Sequence, residues 1–368
     1  MYNGRIARFD APNQPFTVER VHLDEVRRGE ILIKVKRANI CGSDLHAWHG
    51  DFSTRGLGGK FPTVLGHEMV GTIEELGDGV TTDASGKPLA KGTRVVFPYF
   101  TSCGSCQSCL AGRRVGCPKM TMAMLGSAAE RPYFVGGYGD FYLLPVGSVV
   151  YTVSDFVSDD LAAGANCALS QVMHGLERVD QGFGDDVVVQ GAGGLGLYAV
   201  AVAKARGARQ VIAVDGVRER LELATAFGAD HVIDLTELTE VKQRVKRVRE
   251  LTDGKGGDVV VEVVGHPSAI DEGLKMLAQY GRYVEMGNIN MESTVQFAPA
   301  RFLFSNKTIV GVSMYEPIVL SRALTFLEKY QHTLPLDRLA AATYSLEDIN
   351  SAFAAADGRR DVRASIVP

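Results

Sequence analysis

The sequence predicts an α/β protein built from a doubly wound parallel sheet and a second, β-rich domain. Strand-like stretches at 31–35, 70–76, 94–97 and 141–144, separated by turns carrying Gly, Asp and Pro, dominate the amino-terminal part. From Asp159 onward, short apolar runs alternate with segments of helical periodicity, the pattern of parallel strands covered by helices on both faces. The tail from about residue 308 reads as strands again and returns to the first domain. A chain of 368 residues accommodates about two domains. The division is 1–168 with 307–368 for the β-rich domain and 169–306 for the parallel sheet.

Within the second part, 161–179 reads as one helix. The run Val187-Val188-Val189 then leads into Gly191-Ala192-Gly193-Gly194-Leu195-Gly196, and 197–206 is again helical in period. The next strand, 210–214, ends at Asp215, and further strand–helix units begin at 231–233, 259–264 and 282–286. G-x-G-x-x-G alone is unspecific, since any tight strand-to-helix turn can carry glycines. Placed after a strand, opening a helix and followed by an acidic residue at the end of the next strand, it is the dinucleotide fingerprint. Gly191 makes the turn, Gly193 lets a pyrophosphate approach the backbone, and Gly196 permits close packing, with Gly194 and Leu195 opening the helix. Asp215 is placed to accept hydrogen bonds from a ribose and to repel a 2′-phosphate, so NAD is expected over NADP. Arg218 is the residue that could instead tolerate a phosphate.

Composition excludes several classes. With 46% apolar and 22% charged residues and a net charge of −4, the chain has no basic excess for nucleic acid. It has no uninterrupted apolar run of about 18 residues for a membrane and no export-like leader, so the expectation is a cytoplasmic protein.

Six cysteines in a chain long enough to build its own core argue for metal or redox work rather than for disulfides. Cys103-x2-Cys106-x2-Cys109-x7-Cys117 sets four thiolates on one loop, which suits a closed tetrahedral zinc site; an iron–sulfur cluster is the alternative that thiolates alone leave open. Cys41, His67 and Cys167 are scattered. Together they would hold an ion with one position open, the arrangement a Lewis-acid site requires. Taken singly, each has an ordinary reading: a buried thiol acting as a small hydrophobe, or a hydrogen-bonded core histidine.

The segments 41–46, Gly66-His67-Glu68, 92–95, 103–117, 137–141, Cys167, 191–196 and Asp215 together resemble the zinc-dependent medium-chain alcohol dehydrogenases over essentially the whole chain. The resemblance implies a Rossmann domain beside a GroES-like catalytic domain, with two zinc ions per subunit and NAD. It implies that Cys41, His67 and Cys167 ligate the catalytic zinc, with Glu68 behind the metal and Asp44 hydrogen-bonded to His67. Ser43 would contact the substrate hydroxyl and His46 would continue a proton path to solvent. Arg220 would reach a ribose hydroxyl, Arg363 the pyrophosphate, and Trp48 and Phe52 would line the substrate pocket. The Met-rich segment 120–134 is a further expected pocket wall. The implied reaction passes a hydride between an alcohol, activated as a zinc-bound alkoxide, and NAD(H).

Cys167 stands where many polyol dehydrogenases carry Glu, which favours an alcohol over a polyol, and no basic cluster near these motifs suits a phosphate or carboxylate, so a small to medium alcohol with an apolar body is expected. A polyol or threonine-type dehydrogenase is the alternative within the superfamily, and a non-enzymatic zinc-binding structural protein is the alternative outside it. The segment around 166–200 looks most like a bacterial subgroup, some of whose members are associated with phosphonate breakdown. Family members are homo-oligomers, and a tetramer or dimer is expected.

Overall fold

The computed structural model describes residues 1–51, 59–339, 342–358 and 363–368. The chain divides into two compact units, one of 1–170, 316–332 and 336–368, the other of 171–315 and 333–335.

The first unit is built on a largely antiparallel sheet that has seven strands among the described residues. Its centre is Ile31–Asn39, whose inward positions alternate with charged ones and pair with Glu68–Leu76, Phe141–Leu144 and Ala364–Val367. Register matters at one end of this sheet. Asn39 lies opposite Glu68 on one side and Ser365 on the other, so residues 41 and 67 leave the sheet at the same edge. A three-stranded sheet of Tyr2–Phe9, Thr17–Leu23 and Thr63–Val64 completes this unit's core, with Phe9, Phe97, Phe134, Tyr138 and Phe353 fully buried.

The second unit holds six parallel strands in the order 231–234, 210–215, 186–190, 257–262, 277–285, 308–311. Numbered along the chain this is 3-2-1-4-5-6, the doubly wound order, and succession reverses between Asp186–Gln190 and Gly257–Glu262. The three consecutive valines at 187–189 are completely buried, as strands covered on both faces require.

Two expectations need correction. Thr308–Gly311 was placed with the β-rich domain, yet it pairs in parallel with Leu277–Glu285 and closes the edge of the second unit's sheet. Its mostly exposed, short run carried too little periodicity to show which sheet it joins. The helix expected over 161–179 is also not continuous. It runs as Asp159–Ala163, a π-helical turn Ala165–Leu169, and Ser170–Arg178. No helix of the described residues is long and apolar enough to cross a membrane.

Candidate metal and cofactor sites

The sheet edge at Asn39 and Glu68 is where the first site is assembled. Cys41 caps the helix Gly42–His49, and Asp44 three residues on accepts the Cys41 backbone N–H at 3.0 Å, a local reason for the helix to start there. The same fully buried carboxylate accepts the Gly66 N–H at 3.3 Å and the Tyr138 hydroxyl at 2.9 Å. It also stands 3.3 Å from His67 Nδ1, close enough for an ion pair, although that buried nitrogen makes no aligned hydrogen bond. One residue therefore terminates a helix, fixes a turn and faces an imidazole.

Cys167 arrives on the π-helical turn. Such single turns recur at functional sites because the extra residue re-aims one side chain. The turn is tied to the first strands by Asn166, whose side-chain amide donates to His67 O and Phe97 O, both at 3.0 Å. Ser170 Oγ donates to Ala165 O at 2.6 Å. The ligand atoms of Cys41, His67 and Cys167 all lie within 4.8 Å of one another. A hydrogen bond from Cys167, and then the His67 charge, hold the Cys41 thiol well below its ordinary range. The same contact, together with burial, pushes Cys167 well up. Burial opposes a charged His67, but the Asp44 and Cys41 charges outweigh it and raise the imidazole. One thiolate, one reluctant thiol and an imidazole nitrogen in a buried pocket form a donor set that a divalent ion completes by displacing protons.

Behind this set, Glu68 is fully buried and accepts from Arg363 Nη1 at 2.6 Å and from Asn39 Nδ2 at 3.3 Å. Asn39 in turn accepts the Ser365 hydroxyl at 2.7 Å. Burial pushes Glu68 up to about 7 against the pull of Arg363. Removing one partner of a buried pair of this kind costs about 3–5 kcal/mol.

The four cysteines of the 103–117 lobe are free thiols with sulfur separations of 3.5 Å for 103–117, 3.8 Å for 106–117 and 4.0 Å for 103–109. A tetrahedron of thiolates at the zinc–sulfur bond length has edges of about 3.8 Å, so the lobe is already shaped for the ion. The lobe is anchored by Glu316, which accepts the backbone N–H of Arg114 at 2.8 Å and of Val115 at 3.5 Å. Replacing Cys103 by serine should leave one zinc per chain and lower Tm by about 10 °C or more while the remaining folded enzyme still turns over. Metal analysis beside calorimetry checks this, and an unchanged Tm would count against a structural role.

In the second unit the glycine turn follows the strand Asp186–Gln190. Gly191 has φ +96°, the left-handed region. A Cβ on Gly193 would meet nothing within 4 Å, whereas one on Gly196 would stand 1.8 Å from Gly191 O. Asp215 accepts the Ala192 N–H at 2.7 Å and the Val217 N–H at 2.9 Å, so it holds the turn from the adjacent strand end. Gly194 and Leu195 open the helix Gly194–Ala205, and Arg220 lies in the first turn of Arg218–Ala226.

Other expected residues fall differently. Ser43 shares a hydrogen bond with Cys41, and His46, half exposed, lies 3.3 Å from Asp51. Trp48 donates its indole N–H to Gln14 O at 3.2 Å and packs edge-on against Phe353, so it serves the β-rich core. At about 100° per residue it sits roughly 140° around the helix from Ser43, which explains the difference. In the segment 120–134, Met124 packs against that core and Phe134 is part of it. Phe52 lies outside the described residues. Arg363, expected at a pyrophosphate, forms a 2.6 Å ion pair with Glu68. Tyr138, Asn39 and Asn166 had been given no role. Tyr138 and Asn166 stand inside recognised segments and Asn39 just outside one, but a hydrogen-bond partner distant in sequence leaves no trace in local pattern.

Two family models match the chain: the alcohol dehydrogenase GroES-like domain over 27–155 and the zinc-binding dehydrogenase domain over 194–329. The 5-exo-hydroxycamphor dehydrogenase of Pseudomonas putida is 34% identical over 327 residues, covering 88% of each chain. The chain belongs to the zinc-binding medium-chain alcohol dehydrogenases. An L-threonine 3-dehydrogenase of Bacillus licheniformis is 36% identical over 74% of this chain and 72% of its own. The crystal structure of an alcohol dehydrogenase from Thermotoga maritima superposes with a TM-score of 0.93 at 27% identity, covering 100% of both chains. The protein is accordingly an oxidoreductase of the α/β, GroES-like plus Rossmann architecture, in a family that uses zinc and NAD(P).

Proposed function

We propose that this dehydrogenase oxidises a secondary alcohol with an apolar body, or reduces the matching ketone, with NAD(H) as the partner. The convergence of Cys41, His67 and Cys167 in one buried cluster carries the reading. These three would hold the catalytic ion, and Cys103, Cys106, Cys109 and Cys117 the structural one. An ion there supplies Lewis acidity toward the substrate oxygen, and the nicotinamide supplies the hydride acceptor.

The chain's own groups do the rest. Asp44, 3.3 Å from His67 Nδ1, would steady the ring by charge and leave its other nitrogen for an ion. Ser43 Oγ, beside Cys41, would accept the proton of the substrate hydroxyl while releasing its own, and the half-exposed His46 would carry the released proton on to solvent. Glu68, with Arg363, lies behind the ligand set and keeps it rigid. Asp215 disfavours a 2′-phosphate, which supports NAD, while Gly191, Gly193, Gly194, Leu195, Gly196 and Arg220 form the binding turn.

Both named relatives act on a secondary hydroxyl. Cys167 in place of a carboxylate favours the apolar substrate over a polyol or an amino acid. A homo-oligomer is supported by Thr308–Gly311, an edge strand that leaves Ile309 exposed. Six free cysteines suit the reducing cytoplasm.

The test is a panel of cyclic and acyclic secondary alcohols, polyols and L-threonine, followed by NADH formation beside a zinc count. Two zinc ions per chain and a kcat/KM at least about tenfold higher for apolar alcohols are expected. Turnover confined to polyols or threonine, or a preference for NADP, would overturn the corresponding part.

A further inference from the structure

In open α/β sheets, ligands settle outside the carboxyl ends of the strands where strand succession reverses. Here that point lies between Asp186–Gln190, which leads into the glycine turn, and Gly257–Glu262. Glu262 is fully buried beside it, and the half-buried Glu285, on the next strand, turns one buried carboxyl oxygen inward. Glu262 and Glu285 end adjacent parallel strands and are partners in register. Glu262 Oε1 accepts the backbone N–H of Val264 at 2.6 Å and of Gly265 at 2.8 Å, and Glu285 Oε1 accepts that of Asn288 at 2.9 Å. The second oxygen of each, Oε2, is buried and receives no hydrogen bond. The chain at 286–288 is pressed over the pair, since a Cβ on Gly287 would stand 2.6 Å from Glu262 Oε2.

Among the described residues no ion pair reaches Glu262 or Glu285. From Leu277–Glu285 comes the Tyr283 phenol, which donates to Gln190 Oε1 at 3.2 Å. Gln190, on the glycine-turn strand, uses its own amide on Ala269 O. From Pro267–Met276 comes Glu272, whose two oxygens are taken by Arg244 at 2.6 Å each. His266 is exposed and turned to Ser268. Among the described residues no cationic side chain hydrogen-bonds Glu262 or Glu285. Two neighbouring carboxylates repel, and a carboxyl beside another's charge is favoured in its protonated form. Burial first, and then the Glu262 charge, push Glu285 up to about 8.

Of the loops held by this pair, 263–265 abuts the glycine turn, and 286–288 lies against 263–265, since a Cβ on Gly265 would stand 2.7 Å from Gly287 O. The Val263 N–H donates to Gln190 O at 3.1 Å, and the Val264 side chain lies 3.1 Å from where a Cβ of Gly191 would be. We propose that Glu262 and Glu285 share one proton between their Oε2 atoms, and that this acid–carboxylate pair positions 263–265 and 286–288 for dinucleotide binding. Both are positioning residues, and the inference rests on 191–196 being the cofactor turn. The sign follows from linkage. A carboxyl with an ordinary value near 4.3 in the unfolded chain and a raised one in the fold takes up a proton on folding. Its contribution therefore declines as pH rises through that window, and above about pH 8 the second charge drives the carboxyls, and the loops they hold, apart.

The test is hydrogen exchange of peptides covering 263–266 and 286–288 in the zinc-loaded enzyme, corrected for intrinsic rates, together with NADH affinity, both from about pH 6.5 to about pH 9.5. In the native protein, loop protection should fall and the NADH Kd should rise about tenfold across this range. In Glu285→Gln, whose amide is a permanent donor to Glu262, both should be flat. Equal pH dependence in the two proteins, or undiminished protection in the native one, overturns the proposal. Should the variant not fold, infrared difference spectra of the native enzyme and of Glu262→Gln decide: a protonated carboxyl band lost at high pH whose titration changes in Glu262→Gln supports the shared proton, and a band identical in both, as the raised Glu68 alone would give, refutes it. If NADH fails to bind at any pH, the cofactor reading falls, while the exchange and infrared measurements still decide the shared proton.

Discussion

Replacing Cys41 by alanine should lower kcat/KM by at least about a thousandfold, reduce zinc from two to one per chain, and leave a folded protein that still binds NADH. Cys41 is the thiol of the cluster already poised as thiolate, whereas Cys167 is pushed toward its neutral form. Without Cys41, only His67 and that reluctant thiol remain, which is too few donors to retain an ion against water. A Lewis acid contributes several kcal/mol to such a reaction, and about 4 kcal/mol corresponds to the thousandfold loss. The fold should survive because the helix start depends on the Cys41 backbone N–H, bonded to Asp44, and not on its sulfur. Substantial activity with both zinc ions still bound would sink the assignment of this cluster as the catalytic centre.

Replacing Gly196 by alanine should weaken NADH binding by about a hundredfold, equivalent to about 2.7 kcal/mol, with the zinc content unchanged. The new Cβ would fall 1.8 Å from Gly191 O and 2.8 Å from Gly191 C. Both are backbone atoms, so no side-chain rotation relieves the clash, and the turn itself must open. Opening it strains the Gly191 N–H bond to Val214 O and the Ala192 N–H bond to Asp215. Overpacking of this kind also costs about 1–3 kcal/mol of stability. Gly193→Ala is the instructive comparison. Its Cβ meets nothing, so it should fold with an unchanged Tm and lose affinity only through the obstructed approach of the pyrophosphate. Calorimetry and NADH titration of both variants separate the two glycine roles. Native-like affinity in Gly196→Ala would remove the cofactor assignment of this turn.

The legibility of these sites differs with the length of chain each needs. The glycine turn and the four-cysteine lobe are each contained within fewer than about twenty residues, so spacing alone displays them. The Cys41, His67 and Cys167 cluster spans much of the first unit and became visible only as a set that resembles a known family. The helix expected over 161–179 shows where pattern stops. Its apolar periodicity is nearly continuous, and nothing local marks the π-helical turn at Ala165–Leu169. That turn is held by Asn166 reaching the carbonyls of His67 and Phe97, both distant in sequence. Trp48 shows a related limit: its nearness in sequence to His46 does not reveal its neighbour, and helical rotation carries it to Phe353.

By itself, the sequence determined the fold class, the cysteine lobe, the glycine turn and Asp215, because each rests on short-range spacing or on strand and helix periods. Only the tertiary structure decided that Asp44 serves Cys41, Gly66, Tyr138 and His67 at once, and that Arg363 lies against Glu68. It also decided that Glu262 and Glu285 fall opposite each other in register, each with one buried oxygen that receives no hydrogen bond. Those contacts arise from strand register and from crossovers between strands, and a buried charge finds its partner across space rather than along the chain.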